Sequence, residues 1–180
     1  IYHAKCGWNR RRGIPGKGGW FTTKAQSGGG PLIDLGVHFI DVANYLMSFP
    51  KPTAVSGQTY SRFADTTPFN PNASGYTGTY DVEDLAVGLV RYANGCTLDV
   101  EFSWASNVES SYSFVELYGD KGGLKFEKGK LSLFGEAVGA QLDSQPTLPA
   151  DTAWGMAESK HYVDCILNDK PVATNVYEGA

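Results

Sequence analysis

Residues 96–104 alternate without a break. Cys96, Leu98, Val100, Phe102 and Trp104 are apolar, while Thr97, Asp99, Glu101 and Ser103 are polar. A period of two belongs to a strand with one buried face and one wet face. Just before it stands Asn94-Gly95, preceded by the apolar run 85–92. That pair of residues is the strongest short signal for a two-residue hairpin. Residues 111–118 read as a further strand ending at Gly119-Asp120-Lys121-Gly122, and 124–127 with 130–134 as a short hairpin around Lys128-Gly129. Strands joined by tight turns pair antiparallel, because parallel neighbours need long crossovers.

The rest of the chain fits around that sheet. Residues 53–61 read as a strand, and 62–80 as a polar insertion too long for a tight turn. Residues 31–48 read as a helix: Pro31 suits a first turn, apolar residues recur at helical spacing, and Pro50 and Pro52 stop it. Residues 154–168 read as a second helix, closed by Asn168-Asp169-Lys170-Pro171. Residues 1–29 are read as irregular and 135–152 as loop. The expected fold class is α+β: one mainly antiparallel open sheet with helices packed on one face. Residues 1–180 are read as a single domain, a length typical of one domain.

Composition narrows the function. The net charge of −4 argues against nucleic acid, whose phosphates need a clustered positive surface. No apolar run approaches the roughly 18 residues of a membrane span, so no membrane partner is expected. Cys6, Cys96 and Cys165 are far apart and odd in number, which reads as buried free thiols in a reducing cytoplasm, not a disulfide framework or zinc site.

Chemistry-bearing residues concentrate in the 31–48 helix. Asp34, His38, Asp41 and Tyr45 follow at helical spacing, so a regular helix puts them on one face. A His four residues after an Asp can hydrogen-bond to it, the geometry of a general base with a carboxylate orienter. A solvated face is the plainer reading of the same stripe. A cation held by Asp34, His38 and Asp41 is a third, though a metal would want another ligand, and only His3 and His161 remain as histidines. Gly28-Gly29-Gly30 removes side chains before the helix, so a ligand or a loop could approach its backbone. No dinucleotide or phosphate-loop fingerprint is present. The loop holding Arg12, Lys17, Trp20 and Phe21 mixes cations with aromatic rings, which suits a polyhydroxylated or anionic ligand. Trp20 reads equally well as a core anchor. His161, on the second helix, reads by itself as a surface histidine.

The stretch from Gly28 to Asp41 resembles the G-G-G-x-L-x-D-x-G-x-H-x-x-D signature of the glucose–fructose oxidoreductase / inositol dehydrogenase (Gfo/Idh/MocA) family. Arg12…Gly13-Ile14-Pro15…Trp20-Phe21 is similar to the family's lead-in. Val82-Glu83-Asp84-Leu85-Ala86 with Tyr92-Ala93-Asn94-Gly95 is similar to its hairpin. Tyr118-Gly119-Asp120-Lys121-Gly122-Gly123 resembles a strand end of the family, and Tyr162 to Ile166 with Lys170-Pro171 its close.

The resemblance implies the second half of a two-domain enzyme. An N-terminal Rossmann domain would bind NAD or NADP and supply the lysine of an E-K-P motif. A C-terminal α+β domain would carry the substrate site and the oligomer contacts. By that match Asp34 and His38 are the catalytic candidates, with His38 as general base or acid and Asp34 as its orienter or a hydroxyl ligand. Arg12, Trp20, Asp41 and His161 become substrate-binding candidates. No cofactor-binding residue and no metal site are expected in these residues. The implied substrate is a sugar, polyol or related hydroxy compound, and the implied assembly a homo-oligomer through the sheet face. The chain is expected to be a piece of that enzyme, inactive alone. Two other readings stay open: a non-catalytic interaction module working through its sheet face, and a metal-dependent hydrolase using Asp34, His38 and Asp41.

Overall fold

A computed structural model describes residues 1–16, 18–64, 78–148 and 156–176. Lys17, the middle of the polar insertion, the start of the second predicted helix and the last four residues lie outside the described part. The chain divides into two compact units, Ile1–Pro146 and Thr147–Ala180.

The first unit is built on one eight-stranded sheet. Its strands are β1 (His3–Asn9), β2 (Pro52–Tyr60), β3 (Leu85–Tyr92), β4 (Thr97–Ser103), β5 (Tyr112–Tyr118), β6 (Gly123–Glu127), β7 (Lys130–Ala137) and β8 (Ala140–Ser144). Their spatial order is β2-β3-β4-β1-β5-β6-β7-β8. Every pairing is antiparallel except β1 with β4. The Asn94-Gly95 turn forms as expected: Gly95 has φ +85°, and the Asn94 side-chain oxygen accepts the Cys96 N–H at 3.1 Å.

Two strands correct the sequence reading. Residues 1–29 are not all irregular, since β1 lies at the centre of the sheet between β4 and β5. Its inward residues, Ala4 and Cys6, are fully buried but small, so the alternation is faint in sequence. The strand is held by two partners distant along the chain. Residues 135–152 are not all loop, because β7 runs on to Ala137 and β8 follows. The turn between them has positive φ at both Val138 (+54°) and Gly139 (+73°). A β-branched residue is a poor host for positive φ, so this turn carries no sequence signal.

One sheet face packs against helical segments. These are a short helix α1 (Lys24–Ser27), a π-helical turn at Leu32–Gly36 and helix α2 (Val37–Leu46). The predicted 31–48 helix therefore begins with a turn of wider pitch. Leu35, Ala43 and Met47 are buried against Ala4, Cys6, Leu98, Val100, Phe102, Trp104, Val115 and Leu117. Gly36 allows a close approach here: a Cβ would lie 3.2 Å from the Phe102 ring, tighter than most such contacts.

Asp84 is almost fully buried. Its carboxylate accepts the N–H groups of Arg62 (2.5 Å) and Phe63 (2.6 Å), fixing the chain after β2. Burial pushes its pKa above the ordinary 3.8, and those two N–H groups and the Arg62 charge pull back only partly. A raised acid pKa means the folded state holds its proton more tightly than the unfolded one. The stabilisation is then fully present below the ordinary value and lost as pH rises through the folded pKa. Urea unfolding of the parent and of Asp84→Asn across acid pH should show their stability difference moving against the parent as pH rises. A difference moving the other way would refute the assignment.

The opposite sheet face is open and half-polar. Lys125 pairs with Glu116 (3.1 Å) and Glu127 (3.2 Å), and Tyr118 donates to Glu116 at 2.6 Å. That bond, with some burial, pushes the Tyr118 phenol up to about 12. His3 stacks on Tyr118 and shares a 2.8 Å hydrogen bond with Thr97.

In the second unit, helix α3 (Met156–Asn168) buries Cys165, while Tyr162, Val163, Ile166 and Leu167 are exposed. All three cysteines are free and buried. No helix among the described residues is long and apolar enough to cross a membrane.

Candidate functional site

The π-turn decides the geometry of the polar stripe. A turn closed by i→i+5 bonds winds more slowly than an α-turn, so residues four apart across it no longer stack. The Asp34 carboxylate turns inward, and its Oδ2 accepts the indole N–H of Trp104 at 2.8 Å. The expected Asp34–His38 hydrogen bond is not formed. His38, Asp41 and Tyr45 follow on exposed positions of α2. π-turns inside helices are often found at functional sites.

Asp34 lines a pocket of about 210 Å³ with Trp20, Phe21, Ser27, Gly29 and Ile33. Trp20 is 57% exposed, so it is not a core anchor. Its ring and that of Phe21 meet edge to face at 5.3 Å. The loop carrying them is fixed from below: buried Thr22 donates to the Thr79 carbonyl at 2.9 Å and accepts the Gly18 N–H at 2.8 Å.

Of the three glycines before Asp34, Gly30 admits a loop. A Cβ on Gly30 would overlap the carbonyl oxygen of Glu83, and the Glu83 carboxylate accepts the Leu32 N–H at 3.4 Å. The Val82-Glu83-Asp84 segment thus seats the first turn of the helical region.

Within the first unit the structure brings Trp20 and Asp34 together at one pocket and leaves Arg12, His38 and Asp41 out of its lining. Neither His38 nor Asp41 lines the pocket. Arg12 is engaged with the carbonyls of Arg11 (2.5 Å) and Ser106 (3.0 Å) and the Asn107 side chain (2.7 Å), and its guanidinium lies over Phe63. His161 belongs to the second unit, where its Nε2 accepts the Ala173 N–H at 2.9 Å and lies 3.5 Å from the Cys165 sulfur. Among the described residues no three His, Cys, Asp or Glu side chains group to hold a metal ion, and Asp34, His38 and Asp41 form no such cluster. The described residues also contain no strand–glycine-turn–helix cradle for a dinucleotide.

Sequence reasoning placed Trp104 on the buried strand face and missed its tie to Asp34. The available signal was the indole N–H, which needs a partner wherever the ring is buried. A larger hollow, about 840 Å³, opens around the Tyr118–Gly123 turn and β6 to β8, and holds none of the candidate residues. Asp34 lines the smaller pocket, where a carboxylate converges with aromatic walls, so chemistry points there.

Comparison with known proteins gives the family and the fold. The family model described as GFO/IDH/MocA C-terminal domain matches residues 1–125. D-glucoside 3-dehydrogenase of Escherichia coli is 38% identical over 115 residues, covering 63% of this chain and 32% of the relative. Levoglucosan dehydrogenase of Pseudarthrobacter phenanthrenivorans is 30% identical over 114 residues, covering 59% and 29%. Among solved structures, levoglucosan dehydrogenase in complex with NADH aligns with a TM-score of 0.79 at 19% identity, covering 99% of this chain and 52% of that one. Aldose–aldose oxidoreductase from Caulobacter crescentus complexed with glycerol aligns at 0.71 and 19%, covering 98% and 48%. The likeness to these structures is one of fold. The chain spans about a third of the curated relatives and about half of the solved chains.

Proposed function

The chain belongs to the GFO/IDH/MocA family, and on that premise we propose that residues 1–180 are the substrate-binding and oligomerisation domain of a two-domain NAD(P)-dependent oxidoreductase acting on a sugar or polyol. The observation that carries the reading is the placement of Asp34 in a pocket walled by Trp20 and Phe21. Sugars offer C–H faces to aromatic rings and hydroxyl groups to carboxylates, and this pocket presents both partners side by side. Asp34 receives the hydroxyl; His38, at the start of α2 and outside the pocket lining, is proposed as the acceptor of its proton. Trp20 holds the ring face. Arg12 and Asp41 are proposed as outer substrate contacts; the Arg12 donors are already engaged in bracing its loop.

The described residues offer no cradle for a dinucleotide, so cofactor binding is assigned to a Rossmann domain outside them. The apolar surface beside the pocket supports that partner. Ile33 is 49%, Val37 52% and Tyr45 68% exposed, a run of large apolar side chains on one helical segment. Patches of this kind mark surfaces that another element covers. The open sheet face, with its Lys5, Glu116 and Lys125 row, is proposed as the contact between copies. Asp34 lies on the helix-covered side, which favours catalysis over a module working only through its sheet.

The test is activity of the full-length protein against a panel of glycosides, free sugars and polyols with NAD+ or NADP+. Sugar-dependent appearance of reduced nicotinamide is expected, and its absence across the panel would sink the reading. Residues 1–180 alone should show no saturable binding in an NADH titration, whereas tight binding would overturn the division of labour.

A further inference from the structure

We infer that Trp104 is the positioning residue of the Asp34 site: its indole N–H fixes one carboxylate oxygen so that the other is presented to the substrate hydroxyl. This rests on the sugar-site reading above. Trp104 is fully buried, so it cannot touch a ligand itself. A buried indole needs an acceptor, and a main-chain carbonyl would satisfy it. Here the acceptor is the carboxylate that lines the pocket, at 2.8 Å. Hydrogen bonds to an ionised acceptor are the short, strong ones. Among the described residues nothing else binds that carboxylate; His38 does not reach it, and it has no ion pair.

The donor is itself held in place. The Trp104 main-chain N–H donates to the Asp84 carbonyl at 3.0 Å, and the next residue, Ala105, bridges to Arg12. Two residues earlier on the same inward face, Phe102 packs against Gly36. Phe102 and Trp104 therefore meet the π-turn at two points two residues apart, Gly36 and Asp34. That contact sets both the position of the turn and the orientation of its carboxylate. A reacting group held this way needs no reorganisation when substrate arrives.

The test uses the full-length enzyme. Asp34→Asn is measured first; if it keeps parental turnover, the site reading itself fails. With Asp34→Asn impaired, Trp104→Phe removes the N–H while keeping an aromatic ring, and kcat/KM for the sugar should fall by about tenfold to a hundredfold, with the KM for the nicotinamide unchanged. A second readout separates positioning from packing. In fluorotryptophan-labelled enzyme, the fluorine NMR resonance of Trp104 should move when sugar saturates the site, although the ring is buried. That movement should vanish in Asp34→Asn. Parental kinetics in Trp104→Phe, or a Trp104 resonance indifferent to sugar, would overturn the inference while leaving the Asp34 reading intact. Should Trp104→Phe not fold, the resonance is assigned by elimination from single Phe replacements of the other tryptophans, and the fluorine result decides.

Discussion

Replacing His38 by Ala in the full-length enzyme should lower turnover by about 10² to 10⁴, the usual worth of a positioned general acid or base. The structure changes the relation between the two candidates that the residue pattern suggested. His38 is exposed on the first turn of α2 and forms no hydrogen bond with Asp34, which is committed to Trp104. On the proposed reading the two candidates act on the substrate separately, Asp34 as hydroxyl ligand and His38 as proton acceptor, and not as an orienter and its base. Steady-state kinetics of the single and double variants check this. Independent roles predict that His38→Ala and Asp34→Asn losses combine. A coupled pair predicts a double variant no worse than the poorer single one. Unchanged turnover in His38→Ala would remove the base from the scheme.

Phe102→Ala should cost about 3–5 kcal/mol of folding stability, the range for truncating a buried aromatic ring. Phe102 is fully buried on the central part of the sheet, between Leu98–Val100 and Trp104, and its ring contacts Gly36 across the interface with the π-turn. Against a typical total of about 5–15 kcal/mol, the loss is large enough to read from a urea midpoint without extrapolation. A loss below about 1 kcal/mol would mean that the helical segment is not seated on β4 as described.

Much of the architecture was legible because its signals are local. The alternation from Cys96 to Trp104, the Asn94-Gly95 and Lys128-Gly129 turns, and the prolines bounding the 31–48 segment each sit within a few residues of what they determine. The central strand β1 was not legible. Ala4 and Cys6 bury too little apolar surface to mark a strand by themselves, and pairing on both edges holds it in place. The β7–β8 turn was hidden by Val138, a residue type that turn chemistry does not favour. In the site, Asp34 and Trp20 were legible as separate candidates, whereas their shared pocket and the bond Asp34 makes were not.

By itself the sequence determined which side chains β4 turns inward, where the Asn94-Gly95 and Lys128-Gly129 turns fall, and which residues of one helical segment are candidates for acid–base chemistry. Those are properties of chain stereochemistry and residue type over short spans. Only the tertiary structure decided that the helix opens with a π-turn, that Glu83 fills the space left by Gly30, and that Asp34 faces Trp104 and not His38. The Asp34–Trp104 bond joins residues 70 positions apart. Its geometry follows from how the π-turn packs against β4, and no periodicity within either segment encodes that distance.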